Sequence, residues 1–325
     1  MMSRLFSGLA VAVSLSLCGA VAAAQDTYPN RPVRLIIPQS PGSGGDLVGR
    51  MLAESLSKDL KQPVIVENRA GANGVVAAVS VAREAPDGYT LMLGLVSQLS
   101  FNQFLYKNTP YDGFKDFTYV NPVVETPYVL VSSKRSGIKD FAGFLAKARQ
   151  EPGKLNFASA GTGNMTHLSM ELLASNTGLK LTHVPYKGSG PALLSVISGE
   201  SDLMVSVLGT ALPQIQSGAV VPLAVLGAQR AKQIPDVPTL ADLKVQVPVI
   251  PGWYALVGPA KMPQAVSDVI AASVHRFLVA PATQAKLADL YLEPMLGTGQ
   301  ELHTRAVADA KVWGKFIQDN GIQSE

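Results

Sequence analysis

Short β-branched runs alternate with stretches of helical period along most of this chain, the pattern of an α/β architecture with mainly parallel sheets. Val33 to Pro38 reads as the first strand, and Leu47, Val48, Met51, Leu52 and Leu56 then fall on one helical face. Val64 to Val66 and Thr90 to Leu95 read as strands, Asn73 to Arg83 as a helix, and Phe101 to Tyr106 as an apolar helical stretch. A long extended segment, Tyr119 to Ser133, carries Pro122 and Pro127, and beyond it the alternation restarts. Lys139 to Gln150 and Asn164 to Asn176 read as helices, the second with Met165, Leu168, Leu172 and Leu173 inward. Leu155 to Ala158, Leu181 to Val184, Leu203 to Val207 and Val221 to Leu226 read as strands. A second extended crossing lies near Val247 to Val257, beside Trp253 and Tyr254, and the tail from Pro263 is mostly helical.

Two proline-bearing crossings imply a chain that leaves one lobe, builds another and returns, and lobes joined in this way hinge about a cleft. The expected division puts residues 25–127 and 250–325 in lobe 1 and residues 128–249 in lobe 2. Residues 1–24 read as a secretory signal, with Arg4 as the positive end, Leu5 to Ala20 as the apolar stretch and Ala22 to Ala24 as the cleavage site. The expected location is therefore the periplasm. Cys18, inside that segment, is the sole cysteine, so the mature chain forms no internal disulfide and depends on its core, for which 47% apolar content is ample. Removing Arg4 from the 27 basic residues leaves 26 against 24 acidic ones. Such a balance offers nucleic acid no broad basic field.

Two glycine- and hydroxyl-rich loops stand out, Pro38 to Asp46 and Ser159 to Leu168, each between a strand pattern and a helix pattern. A helix start carries unpaired N–H groups and the positive end of a dipole, so two starts facing one cleft would hold a small anion from both sides. Dipole and hydrogen bonds together support binding near the micromolar range, about −8 kcal/mol, after ordering costs. Standard catalytic readings fail on the same residues. Gly45-Asp-Leu-Val-Gly49-Arg50 lacks the P-loop lysine, and Gly161-Thr-Gly163-Asn-Met-Thr166 lacks the third dinucleotide-binding glycine. His167, His183, His275 and His303 never fall at metal-ligand spacing, and no Gly-x-Ser-x-Gly elbow occurs. No catalytic residue, cofactor or metal is expected.

In the first loop Gln39, Ser40, Ser43 and Gly44 are candidate ligand contacts, and Asp46 has two readings, helix N-cap or ligand contact. The second contributes Ser159, Gly161, Thr162, Gly163, Asn164 and His167, with His167 open between a structural hydrogen bond and a ligand contact. Ser97, Gln98 and Tyr186 sit at strand ends, where open α/β sheets place ligands. Asp202 is a further candidate ligand contact, although as the opening residue of a strand it is by default a turn residue, Lys187 is a solvated lysine or a carboxylate partner, and Trp253 and Tyr254 are cleft-lining or core.

Tyr28 to Arg34, the first loop, Val66 to Gly71, Ala85 to Thr90, Tyr111-Asp112 with Asp116-Phe117, the second loop, Val184 to Gly188 and Pro235 to Thr239 occur in this order. Together they resemble the Bug family, the periplasmic solute receptors of tripartite tricarboxylate transporters. The resemblance implies a two-lobed, type II periplasmic-binding-protein fold closing on a small carboxylate, with the two loops as clamps and Gln39-Ser40 in place of a commoner aromatic or small residue. It also implies a monomer that takes a mono-, di- or tricarboxylate or an acidic amino acid and serves membrane carrier subunits. The competing readings are an enzyme on the same scaffold and an orphan sensor.

Overall fold

The computed structural model describes residues 28–227, 229–246 and 251–323. The expected signal segment and the start of the second crossing, residues 247–250, lie outside them. The chain runs β1 (Val33–Ile37), α1 (Gly44–Leu60), β2 (Val64–Asn68), α2 (Val75–Ala82), β3 (Thr90–Leu95), α3 (Asn102–Leu105) and β4 (Phe117–Thr126). It continues through β5 (Tyr128–Ser133), α4 (Phe141–Gln150), β6 (Asn156–Ser159), α5 (Met165–Thr177), β7 (Thr182–Pro185), α6 (Ser189–Ser198), β8 (Leu203–Val207), α7 (Leu208–Gln216) and β9 (Val220–Leu226). The return comprises β10 (Gly252–Pro259), α8 (Gln264–Val279), α9 (Pro281–Asp289), β11 (Glu293–Pro294) and α10 (Gly299–Asp319).

Two sheets result, ordered β11-β4-β10-β3-β1-β2 and β7-β6-β8-β5-β9. The expectation of mainly parallel sheets needs correction, because both are mixed. β1 pairs parallel with β2 and β3, but the return strand β10 runs antiparallel between β3 and β4. In the second sheet β6 pairs parallel with β7 and β8, while β5 is antiparallel to β8 and β9. Direction follows from connectivity: a strand that carries the chain back beside the strand that carried it away must run the opposite way. Two prolines leave their mark on the ladders. The register shifts where Ala255 pairs with Pro122 and where Val131 pairs with Pro222, as a residue without an N–H requires.

The crossing strands are the most buried part of the fold. Every residue of β10 and of β5 is buried, and one apolar cluster runs through Met92, Trp253 and Ala255 of the first sheet to Leu130, Phe157 and Leu203 of the second. Trp253 and Tyr254 thus belong to the core. In α1 the buried stripe is Val48, Leu52 and Leu56, whereas Leu47 is 43% exposed, so the expected face was drawn one residue too wide. In α5 all four expected positions are buried. The pattern gave no sign of α7, whose interior holds Pro213.

Candidate functional site

Strand direction brings the candidate loops together. Tyr254 of β10 lies opposite Leu95, and Gly252 lies opposite Thr126, so the C-terminal ends of β1, β2, β3 and β4 share one edge of the first sheet. Pro127 then turns the chain into the second sheet, where Tyr128 faces Val207 and Leu226. The C-terminal ends of β6, β7 and β8 therefore point back at the same junction. Crevices at such strand ends are where open α/β sheets hold ligands.

The first loop is closed on itself. Ser43, with extended backbone, is the N-cap of α1 and accepts from the Asp46 amide at 3.3 Å, so the N-cap reading of Asp46 is corrected. Asp46 is buried, and its carboxylate accepts from Gly42 N at 2.9 Å, from Asn68 Nδ2 at 2.9 Å and from Arg50 in a two-pronged pair at 3.1 Å. Burial pushes this carboxyl up, but the bonds from Arg50, Gly42 and Asn68 outweigh it and hold its pKa below the usual aspartate value. Gln39 Oε1 takes Gly45 N at 3.0 Å, Tyr254 OH at 3.3 Å and Ser43 Oγ at 3.4 Å. Ser40 and Gly44 stay exposed.

The second loop is braced from behind by stacked rings. Asn164 caps α5 through Thr166 N at 3.0 Å, and Thr166 Oγ1 accepts from Ala160 N at 2.8 Å. Gly163, with φ +74°, donates its N–H to His167 Nδ1 at 3.2 Å, which places the imidazole proton on Nε2, 3.6 Å from Glu171. His167 stacks on His183 with centroids 3.9 Å apart, and His183 stacks on Phe157. Ser159 Oγ lies 2.6 Å from His183 Nε2 and accepts from Gly161 N at 3.1 Å. This serine is fully buried, and desolvation, seconded by the neighbouring His167, pulls the His183 pKa down to about 4. These contacts hold the loop in shape. Thr162, half-buried, Asn164 Nδ2 and the Met165 amide donate to no described residue.

The second loop is tied to the first sheet's side of the junction by a residue that carried no motif. Asn73 sits at φ +48° beside Ala72 at φ +44° in a short turn after β2. Its carbonyl accepts from Gln98 Nε2 at 2.7 Å and Asn102 Nδ2 at 3.1 Å. Its own amide then donates to Asn102 Oδ1 at 3.0 Å and, across the junction, to Gly163 O at 3.1 Å. Ser97 and Gln98 are accordingly buried beneath this turn, with Gln98 Oε1 accepting from Leu95 N. Tyr186 is half-buried after β7, its hydroxyl 3.5 Å from Ser201 Oγ, and Lys187 is exposed. Asp202 is the candidate that does not join the group. Its carboxylate accepts from Asn156 N at 3.0 Å, at the N-terminal ends of β6 and β8 and thus at the far edge of the sheet from Ser159.

The family described as tripartite tricarboxylate transporter family receptor matches residues 48–322. BugT of Bordetella pertussis is 30% identical over 323 residues, covering 99% of each chain. Among solved structures, the adipate-bound R. palustris protein Rpa4515 superposes with a TM-score of 0.86 at 31% identity, over 91% of this chain and 99% of its own. MatC from Rhodopseudomonas palustris, with bound malate, gives a TM-score of 0.81 at 29% identity, over 89% of this chain and 100% of its own. The fold is that of the two-lobed periplasmic binding proteins, as BugD also shows with a TM-score of 0.83. With its paired sheets, its crossing strands and its facing polar loops, this chain belongs to the tripartite tricarboxylate transporter receptors, a family of solute-binding proteins.

Proposed function

We propose that this protein is an exported receptor that captures a small organic carboxylate between its two lobes and presents it to the membrane subunits of a tripartite tricarboxylate-type carrier. The observation that carries this reading is that the strand ends bearing the two polar loops, one in each sheet, point to a single junction, in a chain whose ligand-bound structural neighbours hold adipate and malate. In this reading the lobes divide at Pro127 and near residue 250, giving 25–127 with 250–325 and 128–249, and residues 1–24 are removed on export. One ligand carboxylate lies against Thr162 and the Met165 amide, and Ser40, Ser43, Gly44 and Tyr186 line the remaining wall. Closure of a monomer around the ligand forms the surface that the carrier reads. The fully buried Ser159 and the weakly basic His183 favour binding over turnover.

The test is calorimetry on protein stripped of co-purified ligand, with mono-, di- and tricarboxylates and acidic amino acids. Saturable heat from at least one acid is expected, and silence from all of them overturns the reading.

A further inference from the structure

We propose that Gln39 is the specificity-determining residue of the first loop: its carboxamide oxygen is locked into the loop, which leaves its Nε2 as a fixed, uncharged donor toward the far end of the ligand. The inference deepens the carboxylate-receptor reading and rests on it. The orientation of the amide follows from chemistry. Gly45 N can only donate, so the atom 3.0 Å from it is Oε1, and Tyr254 OH and Ser43 Oγ supply two further donors to the same oxygen. Glycine at position 45 is part of the device, because a Cβ there would collide with Oε1 and lie 2.9 Å from the Tyr254 ring. The backbone is tied too, since Gln39 O accepts from Asn68 Nδ2 at 3.0 Å. Among the described residues Nε2 has no acceptor, and the side chain is half-buried just past the C-terminal end of β1, on the edge at which the chain crosses to the second sheet.

A ligand carboxylate held by Thr162 and Met165 N in the second lobe directs its other end toward this amide. The one carboxylate nearby in the first loop, Asp46, is buried and paired with Arg50, so it presents no charge of its own. A neutral N–H donates to a carboxylate, carbonyl or hydroxyl oxygen alike, and it does so without repulsion. The predicted preference is for acids whose second end carries such an oxygen.

Three forms of the chain test this, wild type, Gln39→Glu and Gln39→Met, each titrated calorimetrically with adipate and malate and each melted without ligand. Gln39→Met removes the acceptor of three donors and is expected to lower Tm by about 2–4 °C, while Gln39→Glu, which keeps an oxygen there, melts higher than Gln39→Met. Gln39→Glu turns a second carboxylate oxygen on the ligand and is expected to weaken both di-acids at least ~10-fold, more than Gln39→Met does. Equal affinities for the three forms, or an unchanged Tm for Gln39→Met, overturn the proposal. Wild-type protein that takes neither these nor any other acid overturns the receptor reading and the specificity role with it, and melting alone then judges the locked amide.

Discussion

At the scale of single residues the second loop depends on protonation. His183 holds Ser159, Ser159 holds Gly161, and all three rely on a neutral ring stacked against His167. Burial lowers the His183 pKa to about 4 from an ordinary histidine value near 6.5, so the unfolded chain binds the proton first. Stability from this group is therefore complete above about pH 6.5 and is lost as pH falls toward 4. Melting curves taken between those values should slope downward with acid, and His183→Phe, which keeps the stack but cannot be protonated, should flatten the slope. A wild-type slope retained by His183→Phe would place the titration elsewhere. Lys187 gives the contrast: it is exposed, and Lys187→Ala should leave acid binding within about twofold, as expected of a solvated charge.

Elements add a constraint that no single residue shows. The turn between β2 and α2 places two successive non-glycine residues at positive φ, a conformation that costs roughly 1–2 kcal/mol per residue and persists because Gln98 and Asn102 grip the Asn73 carbonyl from below. The gain is an amide aimed across the junction at Gly163 O. Asn73→Gly removes that amide without adding backbone strain, and it should raise the radius of gyration of the ligand-free protein and weaken acid binding by up to roughly tenfold, the worth of one hydrogen bond. Small-angle scattering that is identical for both forms would remove Asn73 from the closure. Gly163 sits under the same restraint. A Cβ there would lie 2.7 Å from Leu105 Cδ1 at φ +74°, so Gly163→Val should abolish binding by holding the loops apart, with the protein still folded by circular dichroism.

Across the whole molecule the crossing strands carry the core and join the two sheets. Pro127 O accepts from Leu208 N at 2.9 Å where the chain changes sheets. Behind β10, Trp253 Nε1 donates to Asp309 Oδ2 at 2.8 Å, and Arg305 of α10 pairs with Glu125 of β4. Burial pushes the Asp309 carboxyl up, with the Trp253 bond and Arg305 pulling against it. Trp253→Phe keeps most of the apolar volume but strips a partly buried acceptor of its donor, a loss of about 1 kcal/mol that thermal denaturation should read as a few degrees. The helical C-terminal tail thereby fastens β10 and β4, a task that its amphipathic pattern alone does not announce.

Elements and their order were legible from local pattern. Helical period, β-branched runs and glycine-rich turns placed β3 and β8 at their observed ends and put both loops between a strand and a helix, because each of these signals acts within a few residues. The proline-bearing crossings added the two lobes, and the family segments added the fold type. Strand direction, the far-edge position of Asp202 and the Asn73 bridge were not legible in the same way. They depend on which chain ends meet: the Asn73–Gly163 bond joins residues 90 apart and the Tyr254–Gln39 bond residues 215 apart. Periodicity reports which face a residue shows, whereas a hydrogen bond between distant segments exists only after packing has brought donor and acceptor within about 3 Å.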